Sequence, residues 1–328
     1  DLLDKIVDAL HAVVGAYSLV AMTDDRLIGV RDPIGVRPLI LGRLDGAPIL
    51  TSETCALDII GADFVREIDP GEMVVCNHDG IESFSPFATA KPRPCIFEYV
   101  YFSRPDSITN GRSIYSVRKA IGAQLARENV VEVDVVIPVP DSGTPAAIGY
   151  AEKAGVPFEL GIIRNHYVGR TFIEPSQNIR NFGVKLKHNA NRAEIEGRRV
   201  VLVDDSIVRG TTSKKIVQMV RDAGAAEVHM RIASPPTAHP CYYGIDTPSR
   251  EELMAAQLDV DAMAKQIGVD SLAFISIDGL YQAVADANRD FGEPQFCDAC
   301  FTGEYPVSLV DLAQGRLPTQ LSLLAEHS

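Results

Sequence analysis

VVLVDDSIVRGTTS, residues 200–213, runs from an unbroken aliphatic stretch into a pair of carboxylates and then into a glycine-led run of hydroxyls. An uninterrupted aliphatic run that feeds a helix indicates a strand buried on both faces of a parallel sheet. Asp204 and Asp205 then fall at the carboxyl end of that strand, where open α/β sheets bind ligands. Arg209-Gly210-Thr211-Thr212-Ser213 leads into a helix start, so backbone N–H groups, hydroxyls and the positive helix end converge on one anion. Gly210 allows a close backbone approach. In this order the carboxylates suit ribose hydroxyls and a hard cation, and the cradle suits a nearby phosphate. The blander reading, in which Asp204 and Asp205 merely cap a loop, explains neither the strand before them nor the cradle after them.

The same rhythm extends on both sides. SIYSVRKAIGAQLARE (113–128) reads as a helix, VDVVIPVP (133–140) as a strand, DSGTP (141–145) as a loop and AAIGYAEKAG (146–155) as a helix. KKIVQMVRDAGA follows the acidic pair as a helix, and EVHMRIAS as a further strand. Before residue 85 the pattern is different: an amphipathic helix at DLLDKIVDAL, then antiparallel strands. AYSLVAM and RLIGVRD flank Thr23-Asp24-Asp25, PLILGRL and APILTS flank Asp45-Gly46, and shorter strands lie near 64–68 and 73–77. SPFATAKPRP (85–94) reads as the connection between two units. Two units also suit 328 residues, since single cores seldom grow beyond roughly 250–300.

Composition narrows the function classes. With 46% hydrophobic and 23% charged residues the chain is an ordinary globular one. A formal net charge of −13 argues against nucleic acid as a partner but leaves room for a small anion in a local positive pocket. No apolar run reaches the roughly 18–20 residues of a membrane span, and the first ten residues lack the basic start of a signal peptide. Residues 164–187 gather Arg164, His166, Arg170, Arg180, Lys185 and Lys187 with few acids. A long irregular basic segment suits a lid over an anion or a solvated loop.

VVLVDDSIVRGTTS resembles the phosphoribosyl-pyrophosphate motif of type I phosphoribosyltransferases. Around it, CIFEYVYFSRPDS (95–107), PVPDSGTPAAIGYAEKAGVP (138–157), NHYVGRTFIEPSQNIRNFGVKLK (165–187), HPCYYGID (239–246) and CDACFTGEYP (297–306) resemble, in order, the glutamine phosphoribosylpyrophosphate amidotransferase family. The resemblance covers essentially the whole chain. It implies an α/β type I phosphoribosyltransferase fold over residues 89–310, preceded by a partial α+β glutaminase domain of the N-terminal-nucleophile class over 1–88 and followed by a tail over 311–328. It further implies synthesis of 5-phosphoribosylamine from 5-phosphoribosyl 1-pyrophosphate and glutamine or ammonia, the first step of purine synthesis. By the same carry-over Asp204 and Asp205 contact the ribose hydroxyls and magnesium, Arg209 to Ser213 hold the 5-phosphate, and Ser206 is a further substrate-binding residue. Asp141, Ser142 and Gly143 lie on the pyrophosphate turn, with Ser142 a further magnesium ligand; its bland alternative is a helix N-cap. Lys185 and Lys187 are the expected pyrophosphate contacts in a closing loop.

Six cysteines stand at 55, 76, 95, 241, 297 and 300. Cys297 and Cys300 form a CxxC, which by itself suits a metal or a redox pair. The resemblance implies that Cys95, Cys241, Cys297 and Cys300 hold a [4Fe–4S] cluster, with zinc as the alternative. Cys55 and Cys76 read as small buried hydrophobes. RDPIGVRPL (31–39) resembles the later part of the family's glutaminase half, and Arg31, Asp32 and Arg37 are expected to be structural. The family's nucleophilic cysteine has no counterpart at Asp1, so free ammonia is the expected nucleophile for this polypeptide, with exposed strand surface and poor solubility. Family properties also lead us to expect purine nucleotide effectors, a homo-tetramer and a cytoplasmic setting. The rival reading is a phosphoribosyltransferase-fold sensor that binds its ligand without catalysis; the absence of a DNA-binding element before the core weighs against it.

Overall fold

The computed structural model describes residues 2–165 and 188–309. In its first unit α1 (Leu2–His11) is followed by β1 (Ser18–Met22), β2 (Leu27–Arg31), β3 (Ile40–Leu44), β4 (Ala47–Thr51), α2 (Thr54–Ile60), β5 (Asp63–Glu67), β6 (Met73–Asn77) and β7 (Gly80–Phe84). These strands form two small antiparallel sheets, ordered β1-β2-β6-β7 and β4-β3-β5. Strand alternation builds two cores from one sheet. Ile28, Val30, Met73 and Val75 pack toward Leu10 of α1, whereas Val74 and Cys76 point the other way onto Leu39, Leu41 and Ile68. Both predicted hairpins form as read. α2 and β7 were not foreseen, because TCALDII and GIESF are too short to show a period. Edge strand β1 carries Leu19, Val20 and Met22 on the surface, with Met22 83% exposed.

The RDPIGVRPL turn is a buried knot. Asp32 is fully buried and accepts hydrogen bonds from the backbone N–H groups of Tyr17, Ile34, Gly35 and Val36. Arg31 donates to the carbonyls of Arg37, Ile68 and Gly35. Arg37 then reaches into the second unit, pairing with Glu98 at 3.1 Å and lying over the ring of Phe102. Their structural assignment therefore stands.

After a connection without regular structure, a single π-helical turn at Glu98–Phe102 and the short strands β8 (Ile108–Thr109) and β9 (Arg112–Ser113) open the second unit. α3 (Ile114–Glu128), β10 (Val135–Pro138), α4 (Thr144–Ala154), β11 (Ile162–Arg164), β12 (His188–Ala190) and α5 (Arg192–Ile195) follow. Then come β13 (Arg199–Asp204), α6 (Thr211–Asp222), β14 (Glu227–Ile232), α7 (Met254–Gln257), α8 (Val260–Ile267), β15 (Ser271–Phe274), α9 (Ile277–Ala285) and α10 (Ala299–Thr302). β10, β13, β14 and β15 make one wholly parallel sheet in the order β10-β13-β14-β15. Its aliphatic strands divide by parity: Val136, Val201 and Val203 enter the core under α3 and α4, while Val135, Val200, Leu202, Val228 and Met230 enter the core under α6 and α8. Two covered faces explain why the strands read as unbroken apolar runs.

α3 and α4 touch backbone to backbone. A Cβ at Gly122 would stand 1.8 Å from the carbonyl oxygen of Ala146, and one at Gly149 would stand 1.9 Å from that of Lys119. No side-chain rotation relieves such a clash, so the helices must part. Gly122→Ala gains about 1 kcal/mol of helix propensity and meets overpacking at or above the usual ceiling of about 3 kcal/mol. Urea unfolding is expected to report a net loss of roughly 2 kcal/mol; an unchanged midpoint would contradict this crossing.

Candidate functional site

Asp204 is the last residue of β13 and Asp205 follows it, 6% and 7% exposed. The Asp205 N–H donates to Asp204 Oδ1 at 2.9 Å, and the Ser206 hydroxyl donates to Asp205 Oδ2 at 2.7 Å. Burial pushes the Asp204 carboxyl well above its ordinary range, and the neighbouring charge of Asp205 pushes it further. Gly210 sits at φ +71° as the N-cap of α6, a left-handed conformation, and a Cβ there would meet Met254 Sδ at 2.4 Å. No side chain caps this helix, so its first-turn amides, from residues 211–213, lack intrahelical acceptors and face outward.

These groups share one cavity of about 970 Å³. Its wall includes Asp141, Ser142, Asp204, Asp205, Ser206, Arg209, Gly210, Thr211, Thr212 and Ser213, so ten sequence-predicted residues meet in space. Ser142 lies in this wall, and the N-cap of α4 is Gly143 rather than Ser142, with no side-chain cap. Gly143 itself is not in the wall. A Cβ on it would come within 2.4 Å of the Val203 carbonyl oxygen, so its glycine lets the 140–143 turn lie against the end of β13. Arg209 does line the cavity, but its guanidinium is engaged by Glu252 at 2.9 Å. Arg164 pairs with Asp141. Lys185 and Lys187 lie outside the described residues.

Several wall residues were not anticipated: Tyr101 to Pro105, Arg118, Thr237, Ile245 to Thr247, and the cysteines 241 and 300. Arg118 had a legible signal. It occupies the buried stripe of α3 with Ile114, Val117, Ile121 and Leu125, where a lone arginine needs partners. It finds them in the carbonyls of Tyr99 at 2.9 Å, Ser103 at 2.7 Å and Glu98 at 3.4 Å. Burial lowers its pKa, and the charge of Asp205 works against that. The Thr237 hydroxyl is buried without a hydrogen-bond partner among the described residues, as a group awaiting a ligand would be.

Folding also gathers the four distant cysteines. Cys95 and Cys297 are bridged as neighbouring strands, with the Cys297 N–H donating to the Pro94 carbonyl and the Ile96 N–H to that of Cys297. The Cys300 carbonyl accepts from Ala238 and His239, just before Cys241. Burial raises the Cys300 thiol well above its ordinary pKa, and Cys95, Cys297 and Cys241 each add to the shift; Cys297 is pushed up to about 11, chiefly by burial. Among the described residues no three His, Cys, Asp or Glu side chains are grouped closely enough to hold a single metal ion. Cys55 and Cys76 are buried in the first unit. A Ser271–His229–Glu227 chain, with contacts of 2.9 and 3.0 Å, superficially imitates a hydrolase triad. It lies near the amino ends of β14 and β15, does not line the cavity above, and Arg231 donates to Ser271 Oγ, which marks it as packing.

Residues 106–236 match the phosphoribosyl transferase domain family. The chain is 59% identical over 330 aligned positions to an amidophosphoribosyltransferase of Rhizobium etli, covering 99% of this chain and 66% of that one. It is 56% identical to a chloroplastic amidophosphoribosyltransferase of Glycine max, over 95% of this chain and 54% of the other. A solved Bacillus subtilis glutamine phosphoribosylpyrophosphate amidotransferase, in complex with ADP and GMP, superposes with a TM-score of 0.87 at 50% identity, covering 94% of this chain and 68% of that one. The chain thus spans from about half to two thirds of the length of these relatives. No helix among the described residues is long and apolar enough to cross a membrane.

Proposed function

The chain belongs to the amidophosphoribosyltransferase family, and on that footing we propose that it transfers the phosphoribosyl group of 5-phosphoribosyl 1-pyrophosphate to ammonia, released from glutamine or supplied free. The products are 5-phosphoribosylamine and pyrophosphate, in the first step of purine synthesis. The observation that carries this reading is the sharing of one cavity by the buried Asp204–Asp205 pair and the uncapped start of α6.

In this reading the first turn of α6, with Thr211, Thr212 and Ser213, receives the 5-phosphate, and Ser206 and Arg209 flank it. Asp204 and Asp205 accept the ribose hydroxyls, and the Asp141–Ser142–Gly143 turn receives the pyrophosphate. The C1–O bond breaks with its electron pair leaving on the pyrophosphate oxygen, through a transition state of oxocarbenium character. The ammonia lone pair then forms the C1–N bond, and the surplus proton passes to water. Ammonia is nucleophilic enough that no strong general base is needed. Two adjacent buried carboxylates, one disfavoured as an anion by its surroundings, fit a divalent cation. Magnesium held by Asp204, Asp205 and Ser142 would neutralise charge on the departing pyrophosphate. Lys185 and Lys187 are the proposed further contacts to that group.

Cys95, Cys241, Cys297 and Cys300 are proposed as ligands of a [4Fe–4S] cluster of structural or oxygen-sensing role. Thiols that burial and mutual charge keep protonated gain a partner for their anionic form when iron binds. Purine nucleotides are proposed as effectors, a homo-tetramer as the assembly, and the cytoplasm as the setting, a reducing compartment that suits unpaired thiols.

Gly210→Ala tests the cradle. The strained φ and the contact with Met254 are expected to raise KM for 5-phosphoribosyl 1-pyrophosphate roughly tenfold with kcat within about twofold. An unchanged KM would remove the 5-phosphate from this helix end. A sensor of the same fold would bind the sugar phosphate in calorimetry yet release no pyrophosphate on addition of ammonium.

A further inference from the structure

We infer that Asp298, the residue following the first cysteine of Cys297-Asp298-Ala299-Cys300, is the positioning residue that presents both of these thiols to Cys95 and Cys241. A charged side chain between two cysteines would be expected at the surface, yet Asp298 is fully buried. Its carboxylate is directed into the second unit's core. Oδ2 accepts from Arg289 Nε at 2.6 Å and from the Tyr281 hydroxyl at 2.8 Å, and Oδ1 accepts from the Thr302 hydroxyl at 3.0 Å. Arg93 stands 3.8 Å from Oδ1 and donates to the Phe296 carbonyl, on the other side of Cys297. Arg289 is itself buried, with its side chain only 1% exposed.

The backbone of the same residue holds the turn. The Asp298 carbonyl accepts from the N–H groups of Phe301 and Thr302, which closes α10 around Cys300. Asp298 therefore ties the CxxC turn to α9 through Tyr281 and to the 286–296 segment through Arg289, while Cys297 is paired in register with Cys95. A thiol pair fixed from behind in this way keeps its spacing without help from a bound group. Side chains of this outer kind orient ligands and typically account for 10–100-fold of metal affinity.

The inference builds on the proposed cluster, and the two fail differently in one experiment. Full-length protein is purified without oxygen, and iron and acid-labile sulfide are measured, then iron loss to a ferrous chelator. Alkylation rates of Cys297 and Cys300 are measured by mass spectrometry in the iron-free chain, with thermal melting alongside. Asp298→Asn alone strands the buried Arg289, so it is paired with Arg289→Gln, which leaves a neutral hydrogen-bonding couple. Tyr281→Phe serves as a milder variant that keeps the packing. The double variant is expected to lose iron, and to alkylate at Cys297 and Cys300, at least about tenfold faster than the wild type, with Tyr281→Phe in between. Rates within about twofold of wild type in both variants would overturn the role of Asp298. A wild type without iron whose variants still alkylate faster would retain Asp298 as the anchor and remove the cluster.

Discussion

Asp204→Asn is expected to reduce pyrophosphate release about a thousandfold while raising the melting temperature. The two effects have one cause. In the free fold the Asp204 carboxylate is buried beside Asp205, which makes its anion unfavourable. Such groups are retained at sites that need them charged at the moment of reaction, and the fold is less stable for it. Asparagine keeps an acceptor for the Asp205 N–H, at present a 2.9 Å bond, and removes the repulsion. A gain of about 1 kcal/mol is reasonable for relief of such a pair, equivalent to a rise of about one to two degrees. Loss of one electrostatic contact at the reacting centre typically costs 10²–10³ in rate, so a fall of about 10³ is expected for a residue also proposed to hold the cation. The stability effect also depends on pH. A carboxyl with a raised folded pKa binds its proton more tightly in the fold than in the unfolded chain. Its destabilising effect is therefore present above the folded pKa and fades as pH falls through it. The stability difference between variant and wild type should accordingly narrow on acidification. Scanning calorimetry and a coupled pyrophosphate assay measure both arms, and a variant less stable than wild type would contradict the burial argument.

Cys297→Ser is expected to give the largest change in stability. In the proposed cluster this residue joins the strand of Cys95, at the junction of the two units, to the CxxC turn. A group bound only by the folded state stabilises in proportion to the logarithm of its occupancy, about 4 kcal/mol when the ligand stands a thousandfold above its dissociation constant. For a chain of this size that corresponds to a fall of roughly 6 °C. Cys55→Ser, in the first unit, should keep the wild-type iron content and so serves as the control. Anaerobic protein from the Cys297 variant should be pale and low in iron, and an unchanged melting temperature together with unchanged iron would reject the cluster.

The parts of this molecule that could be read from its sequence are those where local chemistry and global packing agree. VVLVDD declared a two-faced parallel strand because no polar residue interrupts it, and the structure divides its valines between two cores. The RGTTS helix start, the two hairpins and α3 were legible for the same reason. What escaped were groups whose function depends on distant partners. Tyr101 to Pro105 line the cavity beside Arg118, which lies fifteen residues beyond Ser103 and holds the carbonyls of Glu98, Tyr99 and Ser103. α2 carries no clear period, yet Thr54 and the adjacent Glu53 accept bonds from residues 104–108 across the junction of the units. Asp298 carries no signal of its own in the sequence, and its burial against Arg289 and Tyr281 is the ground for the role inferred for it.

In the proposed function this cavity ionises the anomeric carbon of a phosphoribosyl pyrophosphate and delivers it to ammonia. Purified chain supplied with 5-phosphoribosyl 1-pyrophosphate, magnesium and ammonium should release pyrophosphate and form 5-phosphoribosylamine in equal amounts, at a rate that rises with free ammonia. Binding of the sugar phosphate without ammonium-dependent release of pyrophosphate would contradict it.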